Sequence, residues 1–140
     1  MLSAVRQAIA TQIEAGMAGT LHVTPYVLSN PNPPCAEIYP GPIDYDLAMA
    51  RGMDEWTFRL RVYVGEVSDI GSQTTLDQYL EPNSGMSIKK AVESDRLLGG
   101  LVYDISATGC TGYQRYQVEG RGIVLGAEWT IVLMVDGNAP

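Results

Sequence analysis

The chain has a single histidine, a single phenylalanine, two cysteines and few charges of either sign across its 140 residues. Each scarcity excludes a class of chemistry. His22 and the distant pair Cys35 and Cys110 cannot form the four-ligand Cys/His set that structural zinc requires. Neither cysteine belongs to a CxxC motif, so both read as reduced, semi-buried thiols; a disulfide between them is not deducible from spacing. Nucleophilic catalysis usually needs an imidazole beside the nucleophile, and His22 has no carboxylate near it in sequence. It reads as a structural or solvated histidine, and the chain reads as no enzyme. Nine Lys and Arg stand against sixteen Asp and Glu, a formal charge of −7. Phosphate neutralisation needs a basic stripe, and the only adjacent basic pair is Lys89–Lys90. That balance disfavours adhesion to DNA, although an acidic surface suits a channel through which DNA slides.

The remaining motifs carry little chemistry. Asp44 and Asp46 share one face of an extended segment, but no further ligand follows at calcium-loop spacing. Gly109-Cys110-Thr111-Gly112 and Gly120-Arg121-Gly122 lack the strand–glycine loop–helix context of phosphate binders and read as turns. No cofactor and no metal are expected. The N-terminal stretch carries Arg6, Gln7, Gln12 and Glu14, which interrupt any apolar run long enough for a signal peptide or membrane span. A soluble chain, made and used in a cytoplasm, is therefore expected.

What is present is apolar surface. The hydrophobic share is 46% against a charged share of 18%, and the length suits one domain over residues 1–140 with a loose tail from 136. So few charges point to some outer surface that faces a neighbouring subunit rather than water.

Periodicity places the elements. Leu2, Val5, Ile9, Ile13 and Met17 recur at helical spacing, with Ser3 as the expected N-cap and Gly16 or Gly19 as the stop. Leu21 to Tyr26 reads as a short edge strand because of Pro25, and Ser29 to Pro34 as a loop. Cys35 to Tyr39 reads as a strand halted by Pro40-Gly41-Pro42, with Ile43 to Met49 as a further extended piece and Ala50 to Met53 as a turn or exposed loop. Trp56, Phe58, Leu60, Val62 and Val64 alternate with Thr57, Arg59, Arg61 and Tyr63, which is the clearest strand. Ser68 to Leu80 reads as a helix capped by Ser68 or Asp69, with Ile70, Leu76, Tyr79 and Leu80 inward, stopped by Glu81-Pro82-Asn83. A second helix spans Ser87 to Leu97, and Gly99-Gly100 releases a strand over Leu101 to Ile105. Thr108 to Gly112 is a turn or bulge, and Tyr113–Glu119 pairs with Gly122–Val135 as a hairpin. In that last strand Val124, Val132 and Met134 make the second face apolar too, so cover is expected on both sides, from helices and from a neighbouring subunit. The pattern predicts an α+β fold with a mostly antiparallel sheet and helices packed on one face.

Arg59, Arg61 and Tyr63 share the polar face of the clearest strand, where either solvent or another subunit would meet them. Arg51, Met53 and Arg121 occupy neighbouring loops. These six residues are the candidate interface.

From Asp44 to Gly65 the pattern becomes more distinctive. The run Tyr45-Asp46-Leu47-Ala48-Met49-Ala50-Arg51-Gly52-Met53-Asp54-Glu55-Trp56-Thr57-Phe58, followed by the alternating strand, resembles tail-terminator proteins of long-tailed bacteriophages, also called tail-completion or neck proteins. The likeness continues through Gln73–Leu80, Ser87–Glu93, Leu98-Gly99-Gly100 and Leu125–Thr130. It implies a structural virion subunit forming a ring, usually a hexamer, on the end of the tail tube. Such a ring terminates tube polymerisation and offers the surface that joins tail to head, so the implied partners are other copies, the tail tube protein and the head–tail connector protein. DNA would pass through the lumen without specific binding. A head-completion or connector-stopper protein of the neck is the nearest alternative, and a small ligand-binding domain is a more distant one.

Overall fold

In the computed structural model, residues 2–17, 21–26, 34–45, 52–66, 70–118 and 122–136 are described. Helix α1 spans Leu2–Gly16, β1 His22–Thr24, β2 Cys35–Asp44, β3 Asp54–Glu66, α2 Ile70–Leu80, α3 Ile88–Val92, β4 Asp104–Val118 and β5 Gly122–Val135, with a 3₁₀ turn at Leu98–Gly100. The strands form one sheet in the order β1-β2-β3-β5-β4. Only the β1–β2 pair is parallel; the other three pairs are antiparallel. The fold is the expected α+β arrangement, with the helices on one face.

That face makes the core. Ile38 faces Leu60, Leu60 faces Trp129, and Phe58 faces Ile131 across three strands. Val5, Ile9 and Ile13 of α1 cover this row, together with Leu76 and Tyr79 of α2 and Ile88 and Val92 of α3. Full burial of each aliphatic side chain contributes roughly 1.5–3 kcal/mol. Polar side chains tie the helical layer down. Arg6 Nε donates to the Pro25 carbonyl at 2.7 Å and Nη2 to the Ile38 carbonyl at 2.9 Å, anchoring α1 over β2. Glu93 accepts from Lys89 Nζ at 2.6 Å and from the Ala107 amide at 3.0 Å, joining α3 to β4. Burial opposes its charge, but Lys89, the Ala107 amide and Arg96 together hold its carboxyl below the usual range.

Several boundaries differ from the sequence expectation for identifiable reasons. Ser3 is not the cap of α1, which already begins at Leu2. Pro40-Gly41-Pro42 does not halt β2; β1 reaches only to Glu37, so beyond it one side of β2 needs no donors, and the pairing with β3 shifts between Pro40 and Ile43. Ile70 does not point inward: it is 77% exposed. The buried stripe of α2 is Ser72, Leu76 and Tyr79, and Ile70 lies about 200° around the helix from Ser72. Helix α3 ends at Val92 rather than Leu97, because Ser94 Oγ turns back to the Ala91 carbonyl and Asp95 accepts from the Leu97 and Gly99 amides. Leu101 to Tyr103 precede the strand, and Thr108 to Gly112 are bulges inside one long β4. Two strands therefore stand where three were expected. The 29–33 loop, the caps Ser68 and Asp69, and the tail beyond Asp136 lie outside the described residues.

Gly126 marks the tightest strand crossing. A Cβ there would collide with the Val62 carbonyl and crowd the Tyr116 ring, at 3.1 Å from its Cδ2. Gly126→Ala is expected to lower unfolding free energy by about 1–3 kcal/mol, read by urea denaturation; wild-type stability would show that β3 and β5 separate freely there.

Candidate functional site

The helix-free face of the sheet carries the chemistry. Alternation in β3 places Thr57, Arg59, Arg61 and Tyr63 on it. In register, β2 sets Tyr39, Glu37 and Cys35 against Arg59, Arg61 and Tyr63. On the other side β5 sets Thr130 and Glu128 against Arg59 and Arg61, and β4 brings Tyr116 against Val124.

Arg61 is the hub. Its Nη2 donates to Glu128 Oε2 at 3.2 Å, and Nη1 makes a long 3.5 Å contact with the Tyr39 hydroxyl. The guanidinium carbon lies 4.9 Å from the Tyr39 ring centroid and 4.8 Å from that of Tyr116. A planar cation between two aromatic faces gains stacking as well as charge attraction. Tyr63 meets Tyr116 edge-on at 5.7 Å, and the two pack with Cys35 and Val124 as a second small core. Tyr116 Oη donates to the Gly112 carbonyl at 2.7 Å. Gly112 has φ 68°, and a Cβ there would sit 2.6 Å from that hydroxyl, so the bulge and the tyrosine require a glycine.

Burial sets the electrostatics. It pushes the Tyr39 phenol well above its usual range, and the Glu37 carboxylate hydrogen-bonded to it pushes the same way. Burial likewise raises the Tyr63 and Tyr116 phenols. The guanidinium of Arg61 is opposed by burial but held protonated by Tyr63, Tyr39 and Glu128. Glu37 is 1% exposed, and its Oε2 has no hydrogen-bond partner among the described residues. On the opposite face, burial and then the Glu128 charge push the Cys110 thiol up to about 11, which keeps it un-ionised near neutrality.

The structure divides the six candidate interface residues. Arg59 is exposed, without an ion pair among the described residues, while Arg61 is half-buried. Tyr63 is a correction: at 5% exposure it belongs to the second core and does not offer a surface, because Cys35, Val124 and Tyr116 pack around it. Met53 is half-buried just before β3. Arg51 and Arg121 lie outside the described residues, as does Asp46. The apolar second face of β5 is partly covered by this chain itself, since Val124 is buried while Val132 and Met134 are half-exposed.

Sequence reasoning missed Glu37, Tyr39, Tyr116 and Glu128. The signals were slight: a period of two in Cys35-Glu37-Tyr39, and one acid inside the apolar run of β5. It also missed the partner of His22, whose Nδ1 lies 2.9 Å from Glu14 Oε1 where α1 reaches the sheet edge. Both cysteines are free, Cys35 buried and Cys110 half-buried. Among the described residues no group of three or more His, Cys, Asp or Glu is placed to hold a metal ion, and no helix is long and apolar enough to cross a membrane.

Neither a protein-family model nor a curated protein matches the sequence.

Arg61→Leu strands Glu128 and removes both ring contacts. It is expected to lower stability by about 1–3 kcal/mol, whereas Arg59→Leu stays within about 0.5 kcal/mol, both read by chemical denaturation. Equal effects would contradict the hub role of Arg61.

Proposed function

We propose that the chain is a structural subunit of a phage tail terminator. It forms a ring on the end of the tail tube, ends tube polymerisation and presents the surface that joins the tail to the head. The observation that carries this reading is apolar surface at both ends of the sheet. Ile70 and Ile123 are 77% and 56% exposed at the end where β5 begins; Leu97 and Tyr103 are 54% and 51% exposed at the end where β5 finishes. Single exposed apolar side chains are ordinary, and it is their grouping, Ile70 with Ile123 at one end and Leu97 with Tyr103 at the other, that supports association surfaces. A closed ring of identical subunits needs two different surfaces of this kind, because each contact is heterologous. The half-exposed Val132 and Met134 on the open sheet face add a third surface, suited to a tube or connector protein.

The resemblance of Tyr45–Phe58 and the segments after it to tail terminators supports a place in the virion neck, with assembly in the host cytoplasm. The net charge of −7 suits a lumen through which DNA moves without adhering.

The test is addition of the purified chain to growing tail tubes, to headless tails and to tailless heads, each imaged by electron microscopy. Tube growth is expected to stop, with density at one end of headless tails. Binding to tailless heads alone would replace this reading with a head-completion or connector-stopper role, and binding to none would end the neck assignment.

A further inference from the structure

The helical layer carries a groove between α1 and the segment that follows α3. It is open to solvent, has a volume of about 630 Å³ and is walled mainly by small side chains, Ala8, Thr11, Ala15 and Gly16, against Leu98 and Gly99, with the Gln12 amide donating across it to the Val92 carbonyl at 2.6 Å. Its neighbouring charges are already engaged. Asp95 accepts from the Leu97 and Gly99 amides, Glu93 holds Lys89 and the Ala107 amide, and Arg96 pairs with Asp104. The exception is Lys90, exposed in an adjoining pocket that shares Gly16 and Ser94 with the groove, whose ammonium has no ion pair among the described residues.

The opposite end of the sheet carries a matching ridge. Ile70, Thr74 and Asp77 are all exposed on α2 and fall on one stripe, since they recur at four and three residues. Asp77 is the only charge in Ile70–Leu80, and its carboxylate accepts from the Tyr113 hydroxyl at 3.2 Å. At about 1.5 Å per residue the ridge is roughly 10 Å long, and the Ala8–Gly16 wall is roughly 12 Å. Ridge and groove therefore agree in length, and each has beside it one charge of opposite sign without an ion pair among the described residues.

They face different ways. Helix α2 starts beside Gly65, where a Cβ would lie 2.7 Å from Ser72 Oγ, at the end where β5 begins. The turn that walls the groove leads into Tyr103, whose amide donates to the Met134 carbonyl at the end where β5 finishes. One molecule cannot bring its own ridge to its own groove, but a second copy can.

We propose that the α2 ridge of one subunit docks in the α1 groove of the next, with Ile70 against Ala8 and Thr11 and Asp77 against Lys90. This rests on the assembly reading above and specifies its subunit contact. The contact is heterologous, and its repetition closes a ring or extends a fibre.

The test is a charge exchange in the full chain, with mass read by light scattering at low salt and folding by circular dichroism. Asp77→Lys and Lys90→Asp are each expected to raise the dissociation constant about tenfold or more, and the double variant to return it to within about threefold of wild type, as a double-mutant cycle requires. Ile70→Asp, which leaves the charge pair intact, is expected to dissociate the assembly without unfolding the subunit. An oligomer whose mass none of the single variants changes, or whose loss the double variant does not restore, overturns this contact while leaving assembly itself intact. A strictly monomeric wild type overturns both.

Discussion

Among the described residues the helices cover only one face of the sheet, and most of the structure follows from that. The covered face is a continuous apolar layer from Ile38 through Leu60 and Phe58 to Trp129 and Ile131. No helix among the described residues buries the other face, which must satisfy its own polar groups. Arg61 does so in part, bridging to Glu128 between the rings of Tyr39 and Tyr116 while its Nε and Glu37 Oε2 have no hydrogen-bond partner among the described residues, and the Tyr63–Tyr116 pair closes over Cys35 and Val124. Buried charge is tolerated when it is paired and hydrogen-bonded, so this half of the molecule is held by polar and aromatic contacts rather than by a second hydrophobic layer.

The same economy of charge runs through the helical layer. Arg6 holds two carbonyls, Glu14 accepts from the Val23 amide, and Glu93 and Asp104 share Arg96 between them. Among the described residues Glu37 and Asp54 are the buried charged groups, so the sparse charge of the outside follows from a composition only 18% charged. The surface that remains is weakly charged and carries large apolar side chains at both ends of the sheet. That is a surface suited to other subunits, and it joins the fold to the assembly reading.

Much of the fold was legible because the period of two in β3 and β5 and the helical spacing of α1 are governed by burial on one side. The misjudged positions have local causes. Pro40 and Pro42 read as stops because sequence does not reveal that β1 leaves most of β2 unpartnered on one side. The glycines from 109 to 112 read as a turn or bulge, and only long-range pairing with β5 decides for the bulge. Ile70 read as core because a short helix offers too few turns to fix its buried stripe. On the open face, Arg59, Arg61 and Tyr63 were located correctly, but the burial of Tyr63 depends on Cys35, Tyr116 and Val124, which arrive from three other strands. Glu37 and Glu128, distant in sequence, become neighbours of Arg61 only through register.

The central claim is that this domain assembles with copies of itself into a closed ring. Its most direct test is the mass of the wild-type chain in solution by light scattering, with negative-stain images of the same sample. The account predicts a single species of several subunits, about six, that images as rings. A monomer at every concentration, or open fibres without closed particles, would contradict it.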